Sequence, residues 1–242
     1  MWYPSRMPNV KSTDFFRLYE HFQAPITKLN CGKKCAPYNE KGVPFCCDIQ
    51  HAVPTAYQVE WEYLISKTDL WHLWKPNNSS AFSQLRAQTP PDQVLIECLG
   101  HTHCQREYRS ITCRAFPFFP YINEQGKFVG LSYYGEYEDR CWIISNLQFV
   151  SPQYRIEFTK AYDILLELIP IELENFKYQT SLTRRTFEKQ GRAVPLLHRN
   201  GYNYKVSPRS ERMRRIHIED FSKYGPYKVA VEMPFPDEAI HQ

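Results

Sequence analysis

Apolar positions recur at helical spacing in several stretches of this chain. Phe15, Phe16, Leu18, Tyr19 and Phe22 form one apolar face, with Asp14 placed to cap it. Tyr57, Trp61, Leu64 and Ile65 predict a second helix over 55–74. A third begins at Ser151-Pro152, an N-cap followed by proline at the first helical position, with Phe158, Ala161, Tyr162, Leu165 and Ile169 on one face. Pro170 ends or kinks it, and a further helix covers 171–190 up to Gly191. Extended signals lie elsewhere. Val94–Cys98 reads as a short strand, and Phe118–Ile122 with Lys127–Tyr133 as a hairpin around Asn123-Glu124-Gln125-Gly126. Pro226–Val231 reads as a terminal strand.

Between these elements the pattern breaks down. Residues 31–48 carry Pro37, Gly42 and Pro44 and predict an irregular loop, and 75–92 a second loop through Pro76, Asn77, Asn78, Pro90 and Pro91. The expected fold class is α+β: a small, loop-rich domain of helices and an antiparallel sheet, followed by a helical C-terminal part. The expected organisation is a cysteine-rich unit over 1–150 and a helical region with a basic end over 151–242, as a second unit or a continuation of the first. A length of 242 residues fits either.

Composition is ordinary for a globular chain, with 43% hydrophobic and 23% charged residues. No apolar run approaches the ~20 residues of a membrane-crossing helix, so no membrane association is expected. The start, Met1 to Arg6, lacks the basic and apolar regions of a signal peptide, and the expected location is cytoplasmic. The net charge of +4 is too small to imply a polyanionic partner by itself, but it is unevenly spread. Residues 181–217 hold ten basic side chains and two acids, so that segment carries +8 and the remainder −4. Phe187, Tyr202 and Tyr204 interleave with the basic residues, a combination suited to single-stranded nucleic acid, to docking on an acidic protein, or simply to a solvated surface.

The eight cysteines change the picture most: Cys31, Cys35, Cys46 and Cys47, then Cys98, Cys104 and Cys113, then Cys141. In a reducing compartment clustered cysteines point to metal before disulfides. No C-x-x-C pair occurs, so zinc-finger and ferredoxin spacings are both absent. An all-sulfur donor set selects zinc or iron–sulfur over hard cations. The adjacent Cys46 and Cys47, if extended, would point in opposite directions and serve different irons or different sites, unless one ligates and the other packs. Arg109 and Arg114 flank Cys113, where they would offset the charge of a sulfur-ligated centre or form a structural ion pair. His101, His103 and His51 sit near cysteines, and each reads more simply as a loop histidine.

Taken together, Cys31, Cys35, the Cys46-Cys47 pair, Cys104, the run Arg109-Ser110-Ile111-Thr112-Cys113-Arg114-Ala115-Phe116-Pro117 and the trailing Cys141 resemble the YkgJ-type cysteine-cluster family, a zinc- or iron-chelating domain written CxxCxxCC. A related domain occurs in flagellin lysine-N-methylases. The chain departs from the family pattern at Ser110, where proline is usual. The gap between Cys104 and Cys113 is one residue short, and ten residues separate Cys35 from Cys46. The resemblance spans about residues 31–141 and implies a metal centre, iron–sulfur first and zinc second, held by the eight cysteines with Arg109 and Arg114 beside it.

Glycine-rich nucleotide loops and the G-x-S-x-G nucleophile motif do not occur, and no glycine-rich strand-to-helix turn is present to hold S-adenosylmethionine. Three functions follow as expectations. The first is a cytoplasmic metal-binding protein with an iron–sulfur cluster or zinc. The second is a protein-modifying enzyme related to the flagellin methylases. The third is a nucleic-acid- or protein-binding module with a structural metal, its partner held through 181–217.

Overall fold

The computed structural model describes residues 10–76 and 79–228, and of Ser79 and Ala81 the backbone alone. The Asn77-Asn78 part of the second loop and the end of the expected terminal strand, 229–231, lie outside the described residues. The start of that strand is instead a 3-10 turn, Gly225–Lys228.

Helix α1, Ser12–Glu20, buries Phe15, Leu18 and Tyr19. Asp14 stands in its first turn rather than at the cap, and its carboxylate accepts the Lys11 N–H at 2.8 Å. The cysteine-rich stretch is less irregular than its prolines predict. It holds a five-residue helix α2, Cys31–Cys35, and 3-10 turns at Ala36–Tyr38 and Phe45–Cys47.

The predicted helix over 55–74 is three elements: strand β1, Thr55–Tyr57, helix α3, Gln58–Lys67, and strand β2, Trp71–Leu73. Its ends are recruited by pairing. The predicted strand at 94–98 is real and one residue longer, β3, Gln93–Cys98, and lies between the other two. Thr55 stands opposite Leu95 and Trp71 opposite Cys98, antiparallel on both sides. Helical periodicity holds at Trp61 but is overridden at the margin, at Tyr57, by a sheet partner distant in sequence. Helix α4, Ser79–Gln88, occupies much of the second predicted loop, and the Arg86 guanidinium there holds the carbonyls of Pro90, Pro91 and Gln93.

Helix α5, Ile111–Ala115, carries Cys113 and leads through a cis Phe116–Pro117 peptide into the hairpin β4, Phe118–Ile122, and β5, Phe128–Tyr133. Helices α6, Pro152–Leu168, and α7, Ile171–Lys189, meet at Pro170 as the sequence predicts. The segment after them is not helical. Strands β6, Val194–His198, β7, Asn203–Val206, and β8, Met213–Ile216, extend the hairpin into one antiparallel sheet of order β4-β5-β6-β7-β8. Two features pin that sheet. Gly130 faces the β6 backbone so closely that a Cβ would lie 2.4 Å from the Leu197 carbonyl oxygen. The Ile122 N–H donates to Thr180 Oγ1 of α7 at 3.1 Å.

The described residues thus form an α+β fold with two antiparallel sheets. Its core is unusually aromatic: Phe22, Tyr154, Phe158 and Tyr162 form a chain of ring contacts at 4.4–5.9 Å. No helix among the described residues is long and apolar enough to cross a membrane.

Candidate metal centre

Cys31 and Cys35 are one helical turn apart on α2, so their thiols share a face. Asn30 caps that short helix, accepting the Lys33 N–H at 3.2 Å. The ten-residue stretch to Cys46 does not carry the next thiols away, because it folds back on α2. The Asn39 amide donates to the Val43 carbonyl and to Asp48, Lys41 pairs with Asp48 at 2.8 Å, and Pro44 packs against Gly32 so tightly that a Cβ on Gly32 would meet its Cγ at 2.9 Å.

Cys46 and Cys47 overturn the expectation that adjacent thiols diverge. They lie in a 3-10 turn, not in extended chain, and their sulfurs are 3.9 Å apart. Alternation by 180° applies only to strands, and the turn rotates successive side chains by about 120°.

The second group comes from the end of the three-stranded sheet and the segment that follows it. Cys98 ends β3 beside Trp71. Cys104 follows a 3-10 turn, His101–His103, and its sulfur accepts a 3.0 Å hydrogen bond from Arg109 Nε. Cys113 sits in α5, where Ser110 is the N-cap and its hydroxyl accepts the Cys113 N–H at 3.2 Å. Serine at position 110 thus supplies a cap to the helix that carries a cysteine. Cys141 immediately precedes a 3-10 turn, Trp142–Ser145, that packs on α2.

All eight thiols are free. They also lie within electrostatic reach of one another: Cys31 and Cys35 of Cys47, Cys141 of Cys31 and Cys35, Cys46 of Cys141, Cys98 of Cys47 and Cys104, and Cys113 of Cys47, Cys98 and Cys104. No three of the Cys, His, Asp and Glu side chains among the described residues stand close enough together to hold a single ion. The arrangement is a neighbourhood of sulfurs, not a closed tetrahedron.

Burial dominates the proton equilibria there. It pushes the Cys35 thiol up to about 11 and Cys113 up to about 12, and it raises Cys31, Cys98 and Cys141 as well. The Cys46–Cys47 pair splits: the bond between them holds the proton on Cys46 and lowers Cys47, which the Arg109 guanidinium also favours as a thiolate. Buried neutral thiols are poor nucleophiles. A soft metal ion displaces such protons and takes the sulfurs as ligands.

The two flanking arginines divide their work. Arg109 faces Cys104, Cys47 and Cys113 and is the counter-charge of the cluster. Arg114 turns away, donating to the carbonyls of Phe22, Glu107 and Arg109 and lying 4.2 Å over the Tyr19 ring. It braces the loop that presents Arg109. Sequence reasoning passed over Arg106, which acts electrostatically on Cys31, Cys104 and Arg109. Its signal was a second arginine within the Cys104–Cys113 stretch. It also passed over Glu60, completely buried on α3, which accepts the Ile111 N–H at the start of α5 at 2.6 Å, the Tyr57 N–H at 3.2 Å and the Tyr19 hydroxyl. His101 and His103 are exposed, and His51 sits 3.9 Å from Asp48 with its ring against Phe45.

No family model, curated protein or solved structure matches this chain.

Proposed function

We propose that this chain is a metal-binding protein that holds an iron–sulfur cluster through its clustered cysteines. The observation that carries the reading is that eight free thiols from six separate stretches of chain act on one another, with Cys47 and Arg109 linking most of them and Cys141 reached through Cys31, Cys35 and Cys46. The carboxylate that follows Cys47, Asp48, is already engaged by Asn39, Lys41 and the Gln50 N–H, and a sulfur donor set is the one that soft metals take. A cluster spreads its cysteines over several irons, which suits thiols drawn from separate stretches of chain. A half-buried guanidinium among the sulfurs, Arg109, would offset the negative charge that such a centre brings. The centre would supply electron transfer or Lewis-acid chemistry, and Cys47 and Cys113 would be among the residues that hold it.

Zinc is the second reading, favoured by one distance. Two thiolates on a tetrahedral ion with bonds of about 2.3 Å lie about 3.8 Å apart, and Cys46 and Cys47 are separated by 3.9 Å.

The test is anaerobic purification with absorption spectroscopy and assays of iron, zinc and acid-labile sulfide. Matched iron and sulfide with a broad visible band support the cluster, and zinc without sulfide supports the second reading. Cys47→Ser and Cys113→Ser should each lower metal content and solubility. Unchanged metal stoichiometry in both variants would overturn the ligand assignment.

A further inference from the structure

The far edge of the five-stranded sheet is built differently from the rest of the molecule. Every residue from Arg212 to Arg215 is exposed, on both faces of β8. Most basic side chains elsewhere in 181–217 are neutralised or tied down. Arg184 meets Glu124 and Glu211, Arg192 meets Glu138, Arg199 meets Asp163, Arg209 meets Glu188, and Lys205 donates to the Asp220 carbonyl. Arg212, Arg214 and Arg215 pair with no acid among the described residues.

The same edge carries rings. Arg215 stands opposite Tyr204 across the strand pair, and its guanidinium lies 3.4 Å above the Tyr202 ring. Tyr202 is 46% exposed and Met213, on the Arg215 face of β8, is 44% exposed. Tyr204 and His198 continue that face with ring centroids 5.2 Å apart, and the Asn200 amide steadies the Tyr204 hydroxyl at 3.1 Å. Arg214 lies on the opposite face beside Lys205, its cross-strand partner, and Arg212 immediately precedes the strand.

We propose that this β7–β8 edge is a binding surface for single-stranded nucleic acid. Bases stack on the Tyr202–Arg215 platform, extended by Met213 and Tyr204, and phosphates meet Arg212 and Arg214 around the strand edge. Charge complementarity identifies a polyanion, and the exposed stacked ring distinguishes a nucleic acid from an acidic peptide. A duplex buries its bases and leaves the platform unused. This surface is separate from the cysteine neighbourhood, and the proposal stands whether or not a metal is bound there.

The experiment is fluorescence anisotropy of the full chain with a labelled single-stranded oligonucleotide, as RNA and as DNA, over a salt series. Matched duplex and polyglutamate serve as competitors. Binding should weaken steeply with salt. Changing Arg212, Arg214 and Arg215 together to Gln should flatten the log–log slope by about 2. Tyr202→Ala should weaken binding about tenfold, and Tyr202→Phe, which keeps the stack, should restore it. Arg17→Gln, an exposed charge on α1, should change nothing. Far-ultraviolet circular dichroism establishes that each variant is folded. Duplex or polyglutamate competing as well as the single strand would overturn the proposal. So would a silent Tyr202→Ala, or no binding at low salt.

Discussion

Glu60 has no water contact, yet it joins three parts of the fold. It receives the Tyr19 hydroxyl from α1, the Tyr57 N–H at the start of α3 and the Ile111 N–H at the start of α5. Burial outweighs these donors and raises its carboxyl from 4.5 to about 7. In the unfolded chain the same group returns to its ordinary value. Between those two pH values the native state holds a proton that the unfolded state lacks. Stability from this group is therefore complete below 4.5 and falls as pH rises through about 7. At about 1.4 kcal/mol per pH unit, the displacement corresponds to about 3 kcal/mol.

Glu60→Gln isolates that contribution. The amide oxygen keeps the bonds from Tyr19 and Ile111, and the amide nitrogen now faces the Tyr57 N–H, forfeiting one cap at about 1 kcal/mol. Near pH 5 the variant should therefore be slightly less stable than the parent. Between about pH 5 and pH 8 its stability should fall by about 3 kcal/mol less than the parent's. Urea unfolding followed by tryptophan fluorescence across that range measures both curves. Parallel curves would refute the reasoning, because they would mean that Glu60 is already ionised at pH 5 and that its donors outweigh its burial. Glu60→Ala leaves three buried donors unsatisfied and should cost about 4 kcal/mol. Its effect should reach the cysteines as well, since Ile111 anchors the helix that presents Cys113.

Other outcomes follow from the same structure. Arg109→Lys removes the planar Nε donor to Cys104 and should weaken metal retention by about 10–100-fold in chelator competition; equal retention would relegate Arg109 to a loop brace. Ser110→Ala removes the cap that accepts the Cys113 N–H and should cost about 1 kcal/mol in thermal or urea unfolding, with metal content falling in step if α5 frays. Gly130→Ala drives a methyl group into the β6 backbone and should cost about 2–4 kcal/mol, since neither the Leu197 carbonyl nor the His198 Cα can rotate aside. A full-strength thermal midpoint in that variant would mean that the β5–β6 pairing is looser than its geometry.

Signals that depend on a few neighbouring residues were legible in the sequence. Ser151-Pro152 starts α6, Pro170 divides it from α7, and Asn123–Gly126 turns the hairpin. What was not legible depends on distant partners. Thr55–Tyr57 and Trp71–Leu73 become strands because β3 lies between them, and 194–216 becomes sheet because β5 offers an edge. Neither partner is visible in a local window. The basic segment shows the same limit: its charge is plain in composition, but ion pairing decides which arginines remain free, and that emerges only when Glu124, Glu138, Asp163 and Glu188 arrive from elsewhere.

The cysteines combine both cases. Their number and the Arg109–Pro117 run are local, and they point to a soft-metal centre. Whether Cys31 and Cys35 share a site with Cys46 and Cys47 depends on the path of residues 36–44. That path is set by a buried aspartate: Asp48 collects Asn39 and Lys41, and it accepts the Gln50 N–H at 3.0 Å. With both ends of the loop fixed there, Pro44 is pressed onto Gly32 and the turn Phe45–Cys47 faces α2. The ten residues between Cys35 and Cys46 thus do not carry the two cysteine pairs apart, because a small hydrogen-bonded knot returns the chain to its origin. Loop length alone costs little, as closure entropy grows only logarithmically with it. What determines the site is whether the loop's own polar groups hold its ends together, and Asp48 is the residue on which that closure rests.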